Sequence, residues 1–398
     1  MERHVVHMDL DTFFVSVERK INPKLIGHPV LVGGTSDRGV VASCSYEARA
    51  FGIHSAMSMR MARQLCPHAI VVRGDHEAYS KHSHEVTEII KEAVPVYEKT
   101  SIDEFYMDLT GMDKFFGCYK LASELRTKIM KETHLPISFA LSPNKTVSKI
   151  GTGEAKPNGQ MQIAFGNEKG FLAPLSVKKI PMVGDKTYQV LRGMGIEKVK
   201  TIQEMPMELM QQVLGENGIS IWRKANGIDN SPVEQYNERK SISTENTFEK
   251  DTIDVHYLKN VIVSMTEKLA YQLREEQKLT SCVTIKVRYS DFNTYTMQMR
   301  IPYTALDNVL IEKAQELFDK LYNKRMLIRL IGVRFSHLIQ GTYQFDLFND
   351  MTEHIQLYQA MDKLRRRFGS DAVMRAAGMD YKDHSAFNPF NGKIAGKA

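Results

Sequence analysis

The chain has 398 residues, 42% of them hydrophobic and 25% charged, with a formal net charge of +6 at pH 7. That balance describes a globular protein of several domains and excludes low-complexity and fibrous chains. The mild basic excess is compatible with a polyanionic partner without requiring one.

Taken in order, residues 4–10 read as a buried strand and 11–21 as a helix stopped by Pro23. Short strands are expected at 29–33, 39–44 and 69–73, with helices at 45–51 and 58–65 between them. A long helix at 76–93 ends at Pro95, a strand at 96–99 leads into a hairpin at 100–109, and a helix follows at 114–132. Strand 136–142 and helix 144–154 complete an α+β domain that extends to about residue 165. From Pro174 to Tyr236 the chain is helical and punctuated by glycine, and 237–247 is polar enough for a linker. The order helix 255–277, strands 281–289 and 294–301, helix 305–323 and strand 328–337 forms a second α+β unit. A tail from 341 holds a basic helix at 354–368, whose Lys363, Arg365, Arg366 and Arg367 are either solvated or DNA contacts.

No stretch reaches the roughly 18–20 uninterrupted apolar residues of a membrane span. The charged start Met1-Glu2-Arg3-His4 has no signal-peptide core, so a cytoplasmic location is expected. Cys44, Cys66, Cys118 and Cys282 have no paired metal-ligand spacing and are expected as free thiols.

The chemistry concentrates in two apolar runs that carry acids, 4–11 and 100–109. An acid on a buried strand is costly unless something positive neutralises it. A pair of divalent ions would do so, and hard cations such as magnesium prefer carboxylate oxygen. Asp9, Asp103 and Glu104 are the candidate ligands, with the main-chain carbonyl of Leu10 as a further one. Asp103 and Glu104 are adjacent, so on a regular strand they would point to opposite faces, and a bulge or hairpin edge is needed to bring them together. The competing reading, surface acids on an edge strand, is preferred for Asp11 and Asp108. Asp11 stands where it could cap the following helix.

Met-Asp-Leu-Asp-Thr-Phe-Phe at 8–14, Ser-Tyr-Glu-Ala-Arg-Ala-Phe-Gly-Ile at 45–53, Ser-Ile-Asp-Glu at 101–104 and Lys-Pro-Asn-Gly at 156–159 resemble, in order and spacing, the Y-family DNA polymerases. The likeness runs from about 4 to 340 and is strongest to the bacterial DNA polymerase IV branch. It implies an α+β multidomain right hand: a ferredoxin-like palm (1–10 and 75–165), small fingers (11–74), a helical thumb with helix–hairpin–helix units (166–236), a linker (237–242) and an α+β little finger (243–340). The implied function is template-directed, error-prone DNA synthesis of low processivity in translesion synthesis and repair. Primer–template DNA and deoxynucleoside triphosphates would be the partners of a monomeric enzyme carrying two Mg2+ ions. A palm-type nucleotide cyclase and a non-catalytic DNA-binding scaffold are the alternatives.

The resemblance also implies roles. Asp9, Asp103 and Glu104 would hold the metals. Tyr46, Arg49 and Lys156 would hold the triphosphate. Phe13 would be core, and Phe14 would lie under the sugar and exclude a ribose 2′-hydroxyl. Val32, Val41, Ala42, Ser43 and Cys44 would form a small-residue ceiling over the base pair. Gly184, Lys186, Gly193 and Gly195 would present thumb amides and charge to DNA phosphates, although Met182 replaces the usual first hairpin glycine. In the little finger Lys286, Arg288, Arg300, Arg329 and Arg334 would track the duplex. Gln344, Leu347 and Phe348, in Gln-Phe-Asp-Leu-Phe, resemble the motif that docks bacterial polymerases on the sliding clamp.

Overall fold

The computed structural model describes residues 2–112, 117–235, 238–341, 352–370 and 372–378. The chain divides into two compact units, between 237 and 238.

The first unit opens with β1 (Val5–Leu10), α1 (Phe13–Ile21), β2 (Val30–Gly33), β3 (Val41–Cys44), α2 (Tyr46–Arg49), α3 (Met59–Leu65) and β4 (Ile70–Val72). It continues with α4 (His76–Ala93), β5 (Tyr97–Lys99), β6 (Glu104–Asp108), α5 (Cys118–Thr133), β7 (Ile137–Ser142), α6 (Lys145–Ala155) and β8 (Gln160–Gln162). Five strands form a central sheet in the order β5-β6-β1-β7-β8. β1 lies in its middle, antiparallel to both neighbours, and Val5, Val6 and Met8 have no exposed surface. That burial explains why the run reads as continuously apolar. Helix α6 packs across β1 and β7. Its Gly151 makes this possible, because a Cβ there would stand 2.9 Å from the Ala140 Cβ.

β3, β2 and β4 form a separate small sheet around Leu31, Val41, Ile53, Met59 and Ala62. Five short helices follow: α7 (Glu168–Leu172), α8 (Asp185–Gly193), α9 (Val199–Glu204), α10 (Met207–Leu214) and α11 (Glu216–Ala225). They share a core of Leu172, Leu191, Ile202 and Ile221 that is continuous with Val147 and Ile150 of α6. The chain then straps back over the central sheet. Asp229 accepts from the Thr146 amide and hydroxyl at 3.0 and 2.7 Å, and Val233 packs on Val5 and Tyr106.

The second unit contains β9 (Ser241–Thr252), α12 (Val255–Glu275), β10 (Lys278–Tyr289), β11 (Thr294–Thr304), α13 (Asp307–Leu321), β12 (Ile328–Gln340) and α14 (Thr352–Phe368). Its sheet order is β11-β10-β12-β9, with α12 and α13 sharing its core. β9 corrects the expected linker at 237–247. Its Ser241–Thr247 segment pairs along β12 as an edge strand, and it reads as polar because only Ile242, Asn246 and Phe248 are buried. The basic helix is also reassigned in part. Arg365 is 4% exposed in its side chain and bonded to Glu267 at 2.9 Å, and Arg366 is paired with Glu275 at 2.7 Å. All four cysteines are free and buried. Among the described residues no helix is long and apolar enough to cross a membrane.

Candidate active site

The acids meet through strand register. β1 pairs with β6 so that Asp9 stands opposite Glu104, and directly opposed residues share a face. Asp103 is not on the strand. It closes the 100–103 turn, where its carbonyl accepts the Leu10 amide at 3.0 Å. The Ser101 hydroxyl binds the Asp103 carboxylate at 2.5 Å and accepts the Glu104 amide at 3.0 Å. The turn thus supplies the irregularity that lets adjacent acids approach one end of β1.

Three lysines answer three acids. Lys145, Lys149 and Lys156 belong to α6 or its C-cap and fall on one helical face at spacings of four and seven. Lys145 binds Glu98 at 2.7 Å, Lys149 binds both Glu104 oxygens at 2.7 Å, and Lys156 lies 2.5 Å from Asp9. Burial nonetheless pushes the Asp9 carboxyl up to about 7, against the pull of Lys156, and burial also raises Asp103. Among the described residues no three acidic, histidine or cysteine side chains converge on a single point. Glu104 and Asp9 each turn to a lysine, as like charges at close range must when ammonium groups are within reach. The donor set still suits a hard cation: three carboxylates at one strand end, two of them held at elevated affinity for protons, with ammonium groups standing in for positive charge.

Beside these acids, the Tyr46 hydroxyl is buried without a hydrogen-bond partner, and burial, with the Asp11 and Asp9 charges, raises it to about 12. Arg49 is exposed and lies over the Tyr46 ring at 5.0 Å. Phe13 is 2% exposed and so belongs to the core, whereas Phe14 is half-buried and stacks on Tyr79 at 4.3 Å and 15°. The Tyr79 hydroxyl is fixed by Glu18 at 2.5 Å. Between the acids and these rings Thr12 has φ 42 and ψ 48, a left-handed conformation costing a β-branched residue about 1–2 kcal/mol. Strain of this kind persists only where its surroundings fix it.

The ceiling residues differ in exposure, and the expectation of a surface Asp11 needs correction. Of the ceiling residues only Ala42 is exposed; Val41 and Cys44 pack into the small-sheet core, and Val32 and Ser43 are also buried. The two-residue alternation turns Val41 away from the Ala42 face, and the Cys44 thiol is directed at the Ile53 carbonyl. Asp11 is neither exposed nor a cap. It is 1% exposed, and Thr12 holds the cap position. Asp108, half-buried, accepts the Thr110 amide at 3.0 Å and shapes a turn.

In the helical segment Met182 adopts φ +85, the conformation a hairpin glycine would supply, and its carbonyl accepts the Gly184 amide at 3.1 Å. The hairpin survives the replacement. Gly184 and Lys186 are exposed at the start of α8, and the hairpin shares a groove with Lys149, Lys178 and Lys179. Gly193 and Gly195 instead end α8. Gly195, at φ +78, returns the chain so that the Ile196 amide reaches the Leu191 carbonyl at 2.9 Å, a helix C-cap.

In the second unit Lys286, Arg288, Arg300 and Arg334 share the sheet face away from the core, by the pairs Lys286–Gly332, Thr284–Arg334 and Cys282–Arg300. Lys286 is bonded to Glu245 at 2.8 Å across Gly332. Arg329 departs from this group. It falls at the register shift between Ile328 and Leu330, over the Phe292 ring at 4.5 Å. Gln344, Leu347 and Phe348 lie outside the described residues. Glu18, Tyr79, Lys145 and Lys149 were missed in the sequence. The signal for the lysines was their spacing on one helix face.

Two family models match the chain, the impB/mucB/samB family at residues 8–153 and the impB/mucB/samB family C-terminal domain at 239–347. Similar proteins include the DNA polymerase IV of Dehalococcoides mccartyi, 37% identical over 96% of this chain and 99% of that protein. The DNA polymerase IV of Treponema denticola is 37% identical over 83% of this chain and 85% of that protein. Among solved structures, a Y-family DNA polymerase chimera matches with a TM-score of 0.76 and 26% identity, covering 85% of this chain and 100% of its own. An insertion ternary complex of Dbh DNA polymerase matches with a TM-score of 0.61 and 25% identity, over 85% of this chain and 100% of its own. With one family model on each unit and relatives matched over nearly their whole length, the chain belongs to the impB/mucB/samB family, which it shares with the bacterial DNA polymerases IV.

Proposed function

We propose that this error-prone, DNA-directed DNA polymerase joins deoxynucleotides to a primer at Asp9, Asp103 and Glu104. The observation that carries the reading is the pairing of Asp9 with Glu104 on one face of the central sheet, with Asp103 in the adjoining turn. These carboxylates and the Leu10 carbonyl would hold two Mg2+ ions, which when bound supply the positive charge that activates a primer 3′-hydroxyl and steadies the leaving pyrophosphate. Lys149 and Lys156 keep the acids neutralised until then. Once Asp9 is otherwise engaged, Lys156 is free to join Arg49 and the unpartnered Tyr46 hydroxyl on the triphosphate. Phe14, backed by Tyr79, meets the sugar.

The central-sheet segments 1–10 and 75–165 act as palm, 11–74 as fingers, 166–236 as thumb and 241–340 as little finger, joined by a linker that ends before Ser241. The Met182–Gly184 hairpin and Lys186 meet the DNA backbone, as does the face bearing Lys286, Arg288, Arg300 and Arg334. Gln344, Leu347 and Phe348 dock on a sliding clamp, and the enzyme works as a cytoplasmic monomer. No observation favours a cyclase or a scaffold.

Primer extension with Mg2+ tests the core of this reading. Glu104→Gln and Asp103→Asn should abolish incorporation while preserving the fold by circular dichroism. Extension at the unmodified rate by either variant would overturn the assignment.

A further inference from the structure

Asp11 is a buried acid that the metal reading leaves unused. Its carboxylate accepts from the Ser138 hydroxyl at 3.0 and 2.9 Å and from the Asn158 amide at 2.6 Å. Its own amide donates to the Pro136 carbonyl at 2.9 Å, and its carbonyl accepts from the Ser16 hydroxyl at 2.7 Å. The partners are themselves held. Ser138 accepts the Gly159 amide at 3.1 Å, and Arg126 binds the Asn158 carbonyl at 2.7 Å. One carboxylate therefore ties β7 to the 156–159 turn and to the left-handed Thr12 from which α1 and Phe14 depart.

A tie between a strand and a turn needs only a neutral acceptor, and a buried carboxylate is costly unless a cation faces it. That cation is Lys156, 3.8 Å from Asp11 and 2.5 Å from Asp9. Lys156 thus stands between a carboxylate at the metal end of β1 and one that is locked in the fold.

We propose that Asp11 is a positioning residue for the nucleotide: it retains Lys156 within reach of the triphosphate when Asp9 is engaged, and it fixes the Thr12 turn that aims Phe14 at the sugar. The inference rests on the roles given above to Lys156 and Phe14. Asp11 acts through Lys156 and the Thr12 turn.

The test compares Asp11→Asn, Ser138→Ala and Lys156→Ala in the full chain, by single-nucleotide primer extension with deoxy- and ribonucleotides and by thermal melting. Asp11→Asn keeps an acceptor for the Asn158 amide and loses the charge. It should raise the nucleotide KM about tenfold with kcat within about twofold, and leave sugar discrimination within about twofold. Ser138→Ala keeps the charge and loosens the tie, so discrimination should fall with a smaller rise in KM. The proposal is overturned if Asp11→Asn lowers kcat at constant KM, or if both variants lose activity only in step with melting temperature. Should Asp11→Asn not fold, unchanged discrimination in Ser138→Ala overturns it. Lys156→Ala separates the two layers. A raised KM there with an unaffected Asp11→Asn refutes this inference alone, whereas an unchanged KM in Lys156→Ala removes the lysine role beneath it.

Discussion

Phe13 and Phe14 are neighbours with the same side chain, and the structure gives them different consequences. Phe13 is 2% exposed, so Phe13→Ala empties a core site and should cost about 3–5 kcal/mol of stability. Phe14 is half-buried and packs one ring face on Tyr79 at 4.3 Å. Losing that stack costs about 0.5–1.5 kcal/mol, and the remaining partial burial adds about 1 kcal/mol, so Phe14→Ala should cost about 2 kcal/mol. The ordering reverses for sugar selection. A ribose that must shift by about 1 Å to clear the ring loses roughly a hundredfold in rate, and that penalty disappears with the ring. The assay is the ratio of kcat/KM for deoxy- and ribonucleotides on one primer–template, with melting curves for both variants. Phe14→Ala should shrink the ratio about a hundredfold. A ratio unchanged in Phe14→Ala, or altered equally by a folded Phe13→Ala, would refute the geometric argument.

Other consequences are as direct. Lys149→Met leaves Glu104 beside Asp9 without its ammonium partner; stability in chelator should fall by up to about 1 kcal/mol, and added Mg2+ should narrow the gap to the parent protein. An equal gap at all Mg2+ concentrations would argue against cation binding at Glu104. Met182→Gly relieves a left-handed residue costing about 1–2 kcal/mol and adds about 0.5–1 kcal/mol of chain freedom in the unfolded state. The first unit should melt higher, by about 0.5–1 kcal/mol, and a lower melting point would show that the Met182 side chain contributes more than its 53% exposure indicates. Asp229, held below the usual carboxylate range by hydrogen bonds from Ser231 and Thr146, stabilises the fold above its unfolded value and loses that contribution as pH falls through the lower folded one. Asp229→Asn should therefore cost about 1 kcal/mol at pH 7 and progressively less as pH falls below the usual carboxylate range, as followed by denaturant titration.

The element order and the acid-bearing strands were legible because they rest on local pattern. The apolar run at β1, the proline stops and the helix periodicities depend on neighbours a few residues away. The edge strand β9 was not legible. Half of it faces solvent, so its pattern is indistinguishable from that of a polar linker until β12 pairs with it. The burial of the ceiling residues was not legible for a related reason. Small side chains at 41–44 fit either a nucleotide surface or a tight core, and only the folding of α3 against β3 puts Val41 and Cys44 in the second.

The sequence by itself singled out Asp9, Asp103 and Glu104 as candidate ligands, because motifs in order and spacing carry that information without coordinates. Tertiary structure decided which surroundings each acid meets. Asp11 and Asp9 are two residues apart on the chain and alike in type. Asp9 is drawn to a lysine at the open end of a sheet, and Asp11 is enclosed by Ser138 and Asn158, partners 127 and 147 residues distant. A carboxylate takes its role from the charges and donors around it. Those are brought together only when β7 and the turn after α6 close over the end of β1.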